Sequence, residues 1–123
     1  MRALVIDDSR AMRMILKGIL AEAGFTVIEA ASVREGLDRV HQLGAPELAL
    51  VDWNLPEQLG LAFVEAARAD HTFDSMRIMM VTTETEMSQM VKALEAGANE
   101  YVMKPFTKPT ILEKLALLGL AGS

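Results

Sequence analysis

Asp7 and Asp8 stand side by side where an apolar run, "ALVI" (residues 3–6), comes to an end. Asp52 follows another such run, "ELALV" (47–51), Thr82 and Thr83 follow "RIMMV" (77–81), and Lys104 follows "EYVM" (100–103). Two adjacent carboxylates raise each other's pKa and cost free energy unless something cationic lies between them. Carboxylates suit a hard cation such as Mg²⁺, which keeps several waters and accepts one or two protein acids. An aspartate is also a nucleophile toward phosphorus. A metal, a lysine and a hydroxyl would then stabilise the charge on a phosphoryl group in transfer. Taken singly, each residue has an ordinary explanation: a solvated acidic loop, a helix cap, a surface lysine. Their joint placement at the ends of apolar runs carries the chemical reading.

Such groups meet only if the runs are strands of one sheet with their carboxyl ends on the same side. The chain has five such runs, the remaining one being "FTVIEA" (25–30), and a helical pattern follows each. Met12, Ile15, Ile19 and Ala23 make the first helical face, opened by Ser9 as N-cap and closed by Gly24. Ser32 with Glu35 forms a capping box for a second helix bearing Val33, Leu37 and Val40. A third helix runs from about Leu59 to Arg68. The fourth, opened by Thr83 with Glu86, carries Met87, Met90, Val91 and Leu94 and closes at Gly97. The spacing turns Met87 and Met90 toward the core. The last helix carries Ile111, Leu112, Leu115 and Leu118, with Pro109 in its first turn.

Strand runs one, three and four are apolar throughout rather than alternating, as in strands buried on both faces. Strand and helix alternating five times predict a doubly wound α/β domain: a flavodoxin-like (βα)5 three-layer sandwich, parallel sheet order 2-1-3-4-5, with residues 1–123 as one domain. Ligands of such sheets bind beyond the carboxyl ends, at the switch between strands one and three, where Asp7, Asp8 and Asp52 fall.

The formal net charge of −5 argues against nucleic-acid binding by this chain. Cysteine is absent, which excludes disulfides and thiolate metal sites, and His41 and His71 have no ligand neighbours at metal-binding spacing. No apolar stretch reaches the length of a membrane span, and Asp7 and Asp8 interrupt any signal-peptide core, so a cytoplasmic location is expected.

"DD" after strand one, "DWNLPEQLG" after strand three, "TT" after strand four and "KPF" after strand five resemble the receiver domain of two-component response regulators. The resemblance covers essentially the whole chain and is closest to the single-domain chemotaxis-type regulators. It implies Asp52 as phosphoacceptor from a histidine kinase or phosphotransfer protein, with Mg²⁺ held by Asp8, by Asp7 largely through water, by Asp52 and by the Asn54 main-chain carbonyl. Thr82 and Lys104 would each grip a phosphoryl oxygen, with Thr83 beside them. The Lys104–Pro105 bond would be cis, and Pro56 and Gly60 match the turn after the acceptor. Tyr101 matches the switch aromatic, which turns into the space Thr82 vacates. Asn54 and Glu84 occupy the positions that tune hydrolysis, and imply a phosphorylated lifetime of seconds to minutes. The output surface would be the fourth helix, fifth strand and fifth helix, including exposed residues around Ser88, Gln89, Lys92 and Tyr101. The protein would be a switch with self-catalysed phosphotransfer and hydrolysis, not a turnover enzyme.

Thr83 departs from the usual Ala, Ser or Gly, and its β-branched side chain stands beside the route of the incoming phosphorus and water. Gln58 and Leu59 replace a common Met and a small polar residue in a loop that often touches the kinase. Trp53, the only tryptophan, is expected to line the site. The alternatives are a receiver fragment of a larger regulator, a silent scaffold, a haloacid-dehalogenase-type phosphatase and a flavodoxin-like nucleotide carrier. The phosphatase would need a D-x-D pattern on strand one and a late acidic motif. The carrier would need a phosphate-binding loop where Asp7 and Asp8 would repel anions.

Overall fold

Leu4 and Ile6 of the first strand point to one side of the sheet and Ala3 and Val5 to the other, and both sets are buried. The same alternation runs through a five-stranded parallel sheet in the order β2-β1-β3-β4-β5. The strands are β1 (Arg2–Ile6), β2 (Thr26–Ala30), β3 (Leu48–Val51), β4 (Arg77–Thr82) and β5 (Glu100–Met103). The helices are α1 (Arg10–Glu22), α2 (Val33–Leu43), α3 (Gly60–Arg68), α4 (Met87–Ala96) and α5 (Lys108–Leu117). The computed structural model describes residues 1–83 and 87–120. Val5, Leu50 and Met79 pack with Leu16 and Leu20 of α1 and with Ile111 of α5. Ile6, Val51 and Met80 pack with Val33 of α2, Phe63 of α3 and Ala93 of α4 on the other face. This is the three-layer arrangement that continuous apolar strands require.

Most local signals act as read. Ser9 Oγ accepts from the Met12 amide at 3.2 Å, and Gly24 follows α1 at φ +95°. Ser32 Oγ accepts from the Glu35 amide at 3.2 Å; the Glu35 carboxylate reaches the Ala31 amide, at 3.4 Å, one residue upstream of the expected arm. Pro109 lies in the first turn of α5, behind a Thr107 cap. The Thr83–Glu86 box falls partly outside the described residues.

Three expectations are corrected. Ile15 is 52% exposed; α1 instead buries Leu16, Ile19 and Leu20. The helix is apolar on two sides, so periodicity offered two faces and the sheet took one. Met87 is 71% exposed, and Val91 and Leu94 are exposed too, because α4 seats on the core through Ala93 and, partly, Met90 and Ala96. Tyr101 is buried, at 6%, rather than part of an exposed surface, since residue 101 shares the inward side of β5 with the α3–α4 core. A 3-10 turn at His71–Phe73, capped by Asp70, precedes β4 and has no apolar periodicity to announce it.

Candidate functional site

Register assembles the site. Ile6 lies opposite Val51, so the residues that follow, Asp7 and Asp52, leave the sheet side by side. The ladder continues one step past the strands, the Asp52 amide donating to the Ile6 carbonyl at 3.0 Å. Thr82 lies opposite Met103, and the Lys104 amide donates to the Thr82 carbonyl at 2.9 Å. Four strand ends thus deliver two acids, a hydroxyl and an ammonium to one crevice, with Asp8 at its exposed lip.

Lys104 Nζ donates to Asp7 Oδ2 at 2.7 Å and to Asp52 Oδ2 at 3.4 Å. The other Asp7 oxygen accepts from the Ser9 amide at 2.9 Å, the first donor past the strand. Asp7 is 2% exposed, and hydrogen bonds to both of its oxygens offset the cost of burying so polar a group. Burial pushes the Asp52 carboxyl above the ordinary aspartate range. The Lys104 ammonium pulls it down, the Asp7 charge pushes it up, and hydrogen bonds from the Thr82 hydroxyl and Lys104 lower it. Ligand oxygens of Asp7, Asp8 and Asp52 all lie within 4.8 Å of one another. Two of these acids, Asp7 and Asp52, share the Lys104 ammonium, and the donor set of all three is oxygen only. That set fits a hard divalent cation, which would supply the missing positive charge.

The other expected site positions divide. The Lys104–Pro105 bond is cis. Thr83 is exposed beside the buried Thr82, and Asn54 is exposed just beyond Asp52. Trp53 is buried in the core on the α2–α3 side of the sheet. Glu84 lies outside the described residues. Gly60 opens α3 with its amide on the Trp53 carbonyl at 2.7 Å.

Sequence reasoning missed Arg13. Its Nη1 donates to the Asp7 main-chain carbonyl at 2.6 Å and its Nε pairs with Glu29 at 3.1 Å, so α1 and β2 brace the acidic loop together. The acceptor on Asp7 is backbone, which no residue type reveals.

A model of the response regulator receiver domain matches residues 3–116. The chain is 39% identical over 119 residues to the chemotaxis protein CheY1 of Helicobacter pylori (strain J99), covering 96% of each. It is 40% identical over 116 residues to a chemotaxis protein CheY homolog of Campylobacter jejuni (strain 81-176), covering 94% of this chain and 89% of that one. Among solved structures, chemotaxis protein CheY4 of Vibrio cholerae superposes with a TM-score of 0.88 at 31% identity, over 95% of this chain and 97% of the other. The doubly wound sheet and its acidic crevice define a receiver fold. The chain belongs to the response regulator receiver family and is a CheY-like phosphorylatable switch of two-component signalling. Members of this family are signalling switches that use Mg²⁺ at an acidic pocket and work with histidine kinases and downstream targets. The hydrolase and nucleotide-carrier readings are not favoured. No helix among the described residues is long and apolar enough to cross a membrane.

Proposed function

We propose that Asp52 is the phosphoacceptor, and that Asp7, Asp8, Asp52 and the Asn54 carbonyl hold Mg²⁺ for its phosphorylation by a histidine kinase or phosphotransfer protein. The observation that carries this reading is the single Lys104 ammonium spanning Asp7 and Asp52, with Asp8 close by, in a crevice at the switch point of the sheet. A carboxylate oxygen of Asp52 attacks phosphorus in line, the bond from phosphorus to the donor imidazole breaks with its electron pair going to the ring nitrogen, and the imidazole, protonated from solvent on its other nitrogen, leaves neutral. When bound, the metal offsets negative charge among the acids and on the transferring group. Lys104 Nζ already lies within reach of Asp52 and moves little to meet a phosphoryl oxygen. Thr82, already hydrogen-bonded to Asp52, redirects its hydroxyl hydrogen bond to the same group. Both donors are fixed by strand ends, so little reorganisation is needed as charge develops.

The new dianion biases a two-state domain by the difference in its contacts between the states. Thr82 and the buried Tyr101 form the relay to the face built by α4, β5 and α5. Exposed Met87, Val91 and Leu94 give that face an apolar stripe beside Ser88 and Lys92. Such a stripe fits a protein target, and the net charge of −5 opposes nucleic acid. Residues 1–123 act as one receiver domain in the cytoplasm, without turnover of a substrate. Asn54 and Glu84 set a phosphorylated lifetime of seconds to minutes, which Thr83 lengthens if it hinders the attacking water.

Intact-mass spectrometry after incubation with Mg²⁺ and acetyl phosphate tests the acceptor. One phosphoryl adduct is expected on the wild type, none on Asp52→Asn, and none when Mg²⁺ is chelated before the donor is added. An adduct of equal yield on Asp52→Asn would assign the acceptor elsewhere.

A further inference from the structure

The two edges of the sheet are finished differently. At the β5 edge the Tyr101 amide donates to Glu100 Oε1 at 3.0 Å, and Lys114 Nζ holds the same oxygen at 3.1 Å. A side chain of the strand itself thus occupies that amide. At the β2 edge the Thr26 amide donates to the Met1 carbonyl at 2.9 Å, and the Ala30 carbonyl accepts from the Asp7 amide at 3.1 Å. Main-chain groups alternate sides along a strand, so Thr26, Ile28 and Ala30 face β1 while Val27 and Glu29 turn theirs to the open side. Among the described residues no strand lies beyond β2. The Glu35 carboxylate takes the Ala31 amide at 3.4 Å and closes the edge just past the strand. Val27 and Glu29 therefore each present an amide and a carbonyl to whatever lies alongside.

The end of that edge, at Glu29 and Ala30, floors a groove of about 760 Å³ between α1 and α2, and no residue of the acidic crevice lines it. Its walls carry Arg10, Arg13 and Lys17 from α1 and Arg39 from α2, against only Glu29 and Glu35. The chain as a whole has a formal net charge of −5, so this is a cationic patch on an anionic protein. Arg13 is committed to the Asp7 carbonyl and to Glu29, and Lys17 lies 3.7 Å from the other Glu29 oxygen. Arg10, exposed, and Arg39, half-buried, make no hydrogen bond or ion pair among the described residues. Two uncommitted guanidinium groups thus stand on opposite walls. The α1 wall is also lowered at Gly18, where a Cβ would meet nothing within 4 Å. Glycine weakens a helix interior, and no close contact in this fold requires one there.

We propose that the β2 edge, between α1 and α2, binds an acidic extended segment of a partner protein by strand addition. Main-chain pairing to Val27 and Glu29 seats the segment, and its side chains point alternately to the two walls. A carboxylate on one side meets Arg10 and Lys17, and one at the next position meets Arg39, whose planar fork fits it. Gly18 leaves room for the segment to pass α1. A second copy of this chain is a poor occupant, because pairing β2 with β2 would set the cations of one groove against those of the other. The surface lies at the opposite edge of the sheet from β5 and shares no residue with the phosphoryl crevice. It therefore goes beyond the reading of Asp52 and does not rest on it.

The probe is a fluorescently labelled peptide of glutamate and threonine with glutamates at adjacent positions. Its fully N-methylated form is the control, which keeps the charge but cannot donate from its main chain. Fluorescence anisotropy at low ionic strength is expected to show binding of the first and at least several-fold weaker binding of the second. In heteronuclear NMR the bound peptide is expected to slow exchange of the Val27 and Glu29 amides several-fold. The amides of Ile28 and Ala30, already paired with β1, should stay as they were. Arg10→Gln combined with Arg39→Gln is expected to weaken the peptide several-fold. Gly18→Gln should weaken it as well, with a melting temperature at or above that of the wild type, a combination that a purely structural role for Gly18 would not give. Absence of binding, equal affinity for the N-methylated form, or protection without alternation along β2 would overturn strand addition. Wild-type affinity in the doubly substituted protein would overturn the choice of an acidic partner. Binding of inorganic phosphate at Arg10 and Arg39 without binding of the peptide would make the groove a small-anion site instead.

Discussion

The Cα of Gly60 is pressed against the main chain of the acceptor residue: a Cβ at position 60 would come within 1.9 Å of the Asp52 carbonyl oxygen. The start of α3 therefore packs directly on the backbone of Asp52, and the Gly60 amide holds the Trp53 carbonyl at 2.7 Å. No side-chain adjustment relieves a clash with a carbonyl; the helix must move or the acceptor loop must shift.

Gly60→Ala is accordingly expected to destabilise the fold by about 3 kcal/mol, the upper range for an overpacked site. Any folded fraction should accept phosphate from acetyl phosphate more slowly, because the acceptor backbone has shifted. Urea unfolding and intact-mass time courses measure the two effects. A variant with wild-type stability would mean that α3 tolerates displacement there.

Ser9 does two separable things. Its side chain caps α1 through the Met12 amide, while its main-chain amide holds Asp7 Oδ1. Ser9→Ala removes only the first and should cost about 1 kcal/mol of stability. Mg²⁺ affinity, followed by isothermal titration calorimetry, should stay at the wild-type value. A fall in metal affinity parallel to the fall in stability would show that cap and site are not independent.

The groups at the strand ends were legible because each closes an apolar run, and a parallel sheet brings all such ends to one edge. Asp7, Asp8, Asp52, Thr82 and Lys104 needed nothing more. Arg13 and Arg68 were not legible, since most of their acceptors are main-chain carbonyls up to 29 residues away, and no residue type marks those. Ile15 was misplaced for a different reason. In "RAMRMILKGILAE" apolar residues recur on both sides of the helix, and only the sheet selects the Leu16–Leu20 side. The outward turn of Met87 follows from the same indifference of periodicity to its partner: α4 seats chiefly through the small Ala93, with Met90 and Ala96 partly packed, leaving its larger stripe unpartnered.

Asp52 gives the site a defined pH signature. Burial, the largest influence, and the Asp7 charge hold its carboxyl above the ordinary range against the pull of Lys104 and Thr82. A carboxyl raised in the folded state binds its proton more tightly there than in the unfolded chain. It therefore costs no stability below the ordinary aspartate pKa, and its cost grows as pH rises through the window up to the folded value, then stays. Asp52→Asn should consequently unfold at a higher temperature than the wild type at pH 7 in the absence of Mg²⁺. The advantage should vanish as pH falls to the ordinary aspartate pKa. Thermal melts across that range decide it, and a constant difference at every pH would remove Asp52 titration as its source.

Lys104 is the one ammonium paired with Asp7 and Asp52 among the described residues. Lys104→Met keeps the length of the stem and deletes the charge, leaving the Asp7 carboxylate at 2% exposure with the Ser9 amide as its remaining side-chain hydrogen bond. Breaking a buried pair from one side costs about 3–5 kcal/mol. Metal-free Lys104→Met should therefore be less stable than the wild type by roughly that amount, reduced to the extent that water reaches Asp8 and the mouth of the crevice. A divalent cation among the acids replaces the missing charge, so saturating Mg²⁺ should stabilise Lys104→Met more than it stabilises the wild type. Urea unfolding at fixed Mg²⁺ concentrations measures both increments. Equal increments in the two proteins would mean that Lys104 and the cation do not offset the same carboxylates.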